Sequence, residues 1–265
     1  MTDSKNILVP KRFKILLIGD RCTDEYFIGT CDRISPEAPV PILKVESYHS
    51  SPGMVANVKA NFESLEQIVD LISNDETIKK IRYIDKRSGQ HFLRVDDEPK
   101  IKPWNGLFGN HNLTSDYDAV VISDYNKGFI SYEQIENLIS SVNKPIFIDT
   151  KKTDLKRFSG AFIKINFLEY NRLISTPDHE EGLIVTNGEH GATYKLKHYP
   201  AIKVDVYDVC GAGDTFLAYL TYGYLYYNDM DKAIKLAIKA SSETVKHRGT
   251  YAPKLSEVNF TDICV

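Results

Sequence analysis

From Ala119 onward the chain repeats one pattern: a short apolar run, a polar cluster, then a turn or a helical segment. Ala119–Ile122, Pro145–Ile148, Ala161–Ile165 and Gly182–Val185 are the apolar runs. Each is too short for a helix and is bounded by turn residues, so each predicts a buried strand. Between them Ser131–Val142 has helical spacing, and two more helices are expected over about 212–227 and 230–247. Such alternation implies an α/β protein with a doubly wound, mainly parallel sheet flanked by helices. Ligands of these sheets collect at the carboxyl ends of the strands. Gly19-Asp20, Ser123-Asp124, Asp149-Thr150-Lys151 and Asn166 all follow predicted strands, so one sheet edge is expected to gather them.

The N-terminal half is less regular. Phe13–Ile18 and Ile68–Ile72 read as strands, with a helix opening at Pro52-Gly53 and running to about Leu65. Tyr26–Ile34 and Val40–Val45 are β-prone, but prolines at 36, 39 and 41 keep them out of a central sheet. Thr77–Tyr83 and His91–Val95 form a predicted hairpin around Lys86-Arg87-Ser88-Gly89, and Pro99–Ser115 reads as loop. A small β lid over about 24–48 and 78–96 is expected, within a single domain spanning 1–265.

Bulk properties narrow the function classes. Charged residues make up 26% and the formal net charge is −3, which gives no electrostatic case for nucleic acid or an anionic membrane as partner. Cys22, Cys31, Cys210 and Cys264 make no C-x-x-C pair, a usage that suits a cytoplasmic protein better than a disulfide framework. The first residues are polar and basic, unlike a secretory signal, and no run reaches the ~18 apolar residues of a membrane span.

The chemistry-bearing stretch is Asp208-Val-Cys-Gly-Ala-Gly-Asp-Thr-Phe216. A helical pattern follows it, which puts Gly211, Ala212 and Gly213 at a helix N-terminus. Unpaired N–H groups and the positive dipole end there favour an anion. Asp214, one residue on, would repel a resting phosphate. It makes sense as a base that takes a hydroxyl proton while the amides neutralise charge on a transferring phosphoryl group. A plain helix start, with Asp in its first turn, is the structural alternative. No G-x-x-x-x-G-K-[ST] occurs, and the third glycine of a dinucleotide fingerprint is replaced by Phe216.

Three motifs resemble the ribokinase-like (PfkB-type) carbohydrate kinases, and within them the D-glycero-β-D-manno-heptose 7-phosphate kinases. They are Ile18-Gly-Asp-Arg-Cys-Thr-Asp24 with Asp32-Arg-Ile-Ser-Pro-Glu-Ala-Pro-Val-Pro41, then Pro52-Gly-Met-Val-Ala-Asn-Val58, then Asp208–Asp214. Weaker matches are Asp124-Tyr-Asn-Lys-Gly128, Asn166-Phe-Leu-Glu169 and Thr186-Asn-Gly-Glu-His-Gly191. The resemblance implies ATP and Mg²⁺ as cosubstrates, a monovalent cation as a further candidate, and a homodimer through the β lid. It implies Asp214 as base with Gly211, Ala212 and Gly213 as anion hole. Asp24, Gly53 and Asn57 would hold sugar hydroxyls; Asn166 and Glu169 would organise magnesium; Thr186, Gly188 and Gly191 would border the nucleotide. Arg33 and Lys127 are candidates for a substrate phosphate, since guanidinium and ammonium groups bind phosphate well. Asp149 and Lys151 stand as an ion pair at a strand end or as further site residues.

The chain departs from the pattern in places. Met54 replaces the second glycine of the sugar turn, and the stretch between Asn57 and the 79–95 hairpin is short, as if one βα unit were trimmed. The second, nucleotidyl-transferring domain of bifunctional relatives would follow Val265, so that activity is expected elsewhere. The expected function is ATP-dependent phosphorylation of a sugar phosphate, at the anomeric hydroxyl of a heptose 7-phosphate. The alternatives are a non-catalytic sugar-phosphate or nucleotide binder, and a kinase for another hexose, pentose or nucleoside.

Overall fold

The computed structural model describes residues 10–106, 116–177 and 182–258. The second half of the predicted 99–115 loop and Cys264 lie outside them. β1 (Lys14–Gly19) is followed at once by β2 (Arg21–Thr30), β3 (Lys44–Met54), α1 (Val55–Ser64) and β4 (Ile68–Ser73). β5 (Ile78–Asp85) and β6 (His91–Asp97) form the predicted hairpin, and β7 (Ala119–Asp124), α2 (Tyr132–Ser141) and β8 (Ile146–Thr150) continue the alternation. Then come β9 (Phe162–Asn166), the single turn α3 (Phe167–Tyr170), β10 (Leu183–Thr186), β11 (Ala192–Tyr194) and β12 (Lys197–Tyr199). The long helices α4 (Ala212–Tyr227) and α5 (Met230–Thr244) complete the set.

The main sheet has the order β12-β11-β10-β9-β8-β7-β1-β4. It is parallel from β10 through β4 and antiparallel only at the β11 and β12 edge, as the alternation required. One core packs α1, α4 and α5 on one face, through Val58, Phe62, Phe216, Leu220 and Ile234; the other packs α2 on the opposite face, through Ile135 and Leu138. β7 is buried along its whole length, which is why it reads as an unbroken apolar run rather than an alternating one.

The lid is a second sheet, ordered β3-β2-β5-β6. It is larger than expected: β2 and β3 reach from 21 to 54, and β3 runs directly into α1. Pro52-Gly53, expected to open the helix, instead lies in β3 and pairs in register with Thr23 and Cys22 of β2. Met54 caps α1 with φ 57°, so it takes up a left-handed conformation that glycine adopts freely and other residues at a cost of roughly 1–2 kcal/mol. Among the described residues no helix is long and apolar enough to cross a membrane.

Candidate active site at the carboxyl edge of the sheet

The turn before α4 is built by Asp208, whose carboxylate accepts the amides of Cys210 and Gly249, each at 2.9 Å. It thereby staples the turn to the segment after α5. Gly211 then takes φ 80°, and a Cβ there would sit 2.8 Å from Asn57 Nδ2, so both conformation and space require glycine. The helical ladder begins with Thr215 N–H on Gly211 O at 2.9 Å, while Ala212 N–H makes a long 3.3 Å bond to Val209 O. The amides of Gly213 and Asp214 find no acceptor among the described residues. They are the free donors that an anion at a helix N-terminus uses.

Asp214 lies 6% exposed at this turn. Asn57 Nδ2 donates to its Oδ2 at 2.7 Å and the Tyr125 hydroxyl to its Oδ1 at 3.1 Å. Burial pushes its pKa up to about 6, with the Asp149 carboxylate adding to the rise and Asn57, Lys164 and Tyr125 opposing it. A carboxyl in that range is ionised at neutral pH and basic enough to accept a hydroxyl proton. Asn57, expected to hold a sugar hydroxyl, gives an amide N–H to the carboxylate of Asp214.

Below the turn, Asp149 on β8 and Lys164 on β9 face each other in register. They form a buried pair at 2.6 Å. A Cβ at Gly213 would come 3.0 Å from Lys164 Nζ, so a buried ammonium abuts the amide turn. Lys151 does not pair with Asp149: its Nζ lies on Glu169 Oε1. Asn166 and Glu169 form a reciprocal capping box at the start of α3, each backbone N–H bonded to the other's side chain at 2.9 Å. Both carboxylate oxygens of Glu169 are thus engaged. An amide oxygen and a carboxylate still suit Mg²⁺, which keeps several waters and takes few protein ligands directly. Among the described residues no cluster of three or more His, Cys, Asp or Glu is arranged around a metal position. Thr186 ends β10 in register with Asn166, on the same sheet edge. Gly188 has open space where a Cβ would be, whereas one at Gly191 would sit 2.0 Å from Tyr199 O.

On the lid side, Asp24 is buried on β2 and its Oδ1 accepts Arg82 NH1 of β5 at 2.6 Å. A Cβ at Gly53 would be 2.1 Å from Asp24 Oδ2, so the sugar-turn glycine makes room for that carboxylate. A cavity of about 700 Å³ opens between the lid and the segments around 207–210 and 248–250. Arg82, Lys86, Arg87 and Arg248 line it against the single carboxylate of Asp208, in a chain whose net charge is −3. Lys86 and Arg87 make exposed pairs with Glu46 and Asp32, while Arg248 has no ion pair among the described residues. Arg33 is exposed and Lys127 is held by Glu98 at 2.5 Å; neither lines this cavity. Sequence reading named neither Tyr125, Arg82 nor Lys164. The visible signals were a lysine inside the apolar run Phe162-Ile-Lys-Ile-Asn166 and the place of Tyr125 within Asp124-Tyr-Asn-Lys-Gly128.

Known proteins bear on this geometry. Residues 152–257 match the model of the pfkB family carbohydrate kinases. The bifunctional protein HldE of Vibrio vulnificus is 32% identical over 89% of this chain. The chain spans about 60% of the length of that relative. The fold matches Arabidopsis thaliana ribokinase complexed with ribose and ATP (TM-score 0.67, 13% identity, 96% and 98% of the two chains covered). It also matches Escherichia coli phosphofructokinase-2 in complex with potassium (TM-score 0.66, 15% identity, 96% and 100% covered). With a buried carboxylate beside the amide turn and these matches together, the chain carries a PfkB carbohydrate kinase domain on a ribokinase-like fold.

Proposed function

We propose that this kinase uses ATP to phosphorylate the anomeric hydroxyl of a sugar that already carries a phosphate, a heptose 7-phosphate. Asp214 takes the hydroxyl proton as that oxygen attacks the γ-phosphorus. The amides of Gly213 and Asp214, with Lys164 behind them, face the negative charge of the transferring group. Asp24, set by Arg82 and given room by Gly53, faces the sugar. Asn166 and Glu169 would hold Mg²⁺ through its waters, where the ion neutralises phosphate charge; Thr186, Gly188 and Gly191 border the nucleotide. A monovalent cation is a further candidate cofactor, as the potassium complex of the E. coli neighbour suggests.

The observation that carries the phosphorylated acceptor is the cationic cavity beside Cys210, one residue from the amide turn. Arg248, the cation there without an acidic partner, is best placed to take a phosphate in two parallel hydrogen bonds. The lid also presents an apolar row: Tyr48, Phe27, Tyr83 and Leu93 lie side by side across four strands in register. Tyr48 and Leu93 are 54% and 56% exposed. A second copy of the chain covering this face gives a lid-to-lid homodimer, which works in the cytoplasm where ATP is supplied.

The test is ADP release with sugars offered in phosphorylated and unphosphorylated form. A preference of at least a hundredfold in kcat/KM for the phosphorylated sugars is expected. R248Q should raise the KM of that substrate more than tenfold while leaving the KM for ATP in place. Equal turnover of both forms refutes the phosphate reading.

A further inference from the structure

We propose that Tyr125 is a positioning residue of this reaction: its hydroxyl, donating to Oδ1 of Asp214, holds that carboxylate in line and in its proton-accepting form. The inference rests on Asp214 being the base. It adds a residue that the sequence motifs do not assign.

The placement is over-determined. Tyr125 follows β7 in a turn whose Asn126 has φ 56°. The fully buried carboxylate of Asp20, at the end of β1, accepts the backbone N–H of Tyr125 at 2.7 Å and of Lys127 at 3.3 Å. Asp124 Oδ1 accepts Asn126 N–H at 2.9 Å, and its Oδ2 is held by Lys152 at 2.9 Å and by the Thr150 hydroxyl at 2.5 Å. Two buried carboxylates and a buried lysine therefore fix the backbone from which the phenol projects. The ring is flanked by Lys80 Nζ of the lid at 5.0 Å from its centroid and by Lys151 Nζ at 5.3 Å. Both lie within the range of cation–π attraction.

The electrostatics fit a donor that never loses its proton. Burial, and then the Asp214 and Asp149 carboxylates, raise the Tyr125 pKa well above its ordinary value. Asn57 from α1, Asp149 from β8, Lys164 from β9, Lys151 beyond β8 and Cys22 from β2 are the other polar or titratable groups around Asp214. Of all of them only Asn57 and Tyr125 hydrogen-bond the carboxylate. A hydrogen bond made to the ionised form favours that form. Without the phenol, burial and Asp149 act against one donor fewer, and the carboxyl gives up ionisation closer to neutrality. Asn57 would then be the sole constraint on where its oxygens point.

Y125F tests this, because it keeps the ring and the seat for both lysines and deletes only the hydroxyl. In the ligand-free protein, ¹³C titration of the aspartate carboxyls, with the Asp214 signal assigned by its loss in D214N, should show that signal moving to higher pH by on the order of one unit. The acid limb of kcat/KM should move with it, while the KM values for ATP and sugar phosphate stay within about twofold. An unmoved Asp214 titration overturns the inference, and so does an acid limb that stays in place while kcat falls. Should D214N itself turn over normally, the base assignment fails instead; the carboxyl titration still reports the hydrogen bond, so the two failures are distinguishable.

Discussion

Replacing Asp214, the proposed base, with its amide isostere should make the protein more stable at neutral pH and not at acid pH. Asp214 ionises in the unfolded chain near 3.8 but in the folded protein only at about 6, because burial disfavours its charged form. Between those values the native state holds a proton that the unfolded state has released. This stabilisation is full below about 4 and is lost as pH rises through about 6. Roughly two units at 1.36 kcal/mol each put the penalty of carrying the ionised carboxylate at about 3 kcal/mol above pH 7. D214N removes that penalty and keeps the hydrogen bonds satisfiable: its Oδ1 accepts from Asn57, and its amide faces the Tyr125 hydroxyl, which can turn to accept. Urea unfolding across pH 4 to 8 should therefore show D214N gaining up to about 3 kcal/mol on the parent above pH 7. The gain should fade toward pH 4, in a protein without turnover. A difference that is flat with pH refutes the argument, since no other change at this position titrates in that window.

Two other perturbations read the scaffold around the base. K164A leaves Asp149 buried without its partner and should cost about 3–5 kcal/mol in urea unfolding, whereas K164M/D149L should recover most of that loss without recovering activity. M54G relieves a left-handed methionine by roughly 1–2 kcal/mol. Yet it empties a buried side-chain site worth roughly 2–5 kcal/mol, so it should lower stability by up to about 4 kcal/mol; a rise in melting temperature would contradict that balance.

The main sheet was legible because its central parallel strands β1, β7 and β8 are buried nearly throughout and so appear as compact apolar runs. β3 was not. Lys44–Met54 is exposed over most of its length and contains Ser, His, Pro and Gly; the pairing that makes it a strand comes from β2. α3 is only a single turn, and the capping pair Asn166 and Glu169 that opens it says nothing about length. At the site, Gly211, Gly213 and Asp214 could be read because they are contiguous and their chemistry is local. Arg82 and Tyr125 could not, because the groups they serve lie 58 and 89 residues away. An arginine in Ile-Lys-Lys-Ile-Arg is indistinguishable in sequence from its solvated neighbours. Met54 was recognised as a departure from glycine, and its φ of 57° is one that glycine adopts freely.

The proposal of Asp214 as base rests on which partners the buried carboxylates have. Asp24 is held by Arg82, Asp124 by Lys152 and Asp149 by Lys164. Breaking such a pair leaves a buried charge alone, which costs several kcal/mol, so those three are committed to their cations. Asp214 forms no ion pair, and its oxygens are met by two neutral donors, an amide and a phenol, which tolerate either charge state. Asp20 is likewise unpaired and raised in pKa, but it is sealed from solvent and its Oδ2 is committed to two backbone N–H groups. Only Asp214 combines neutral partners with free amides on its own helical turn. Proton uptake and charge neutralisation thus meet at that position and at no other buried carboxylate among the described residues.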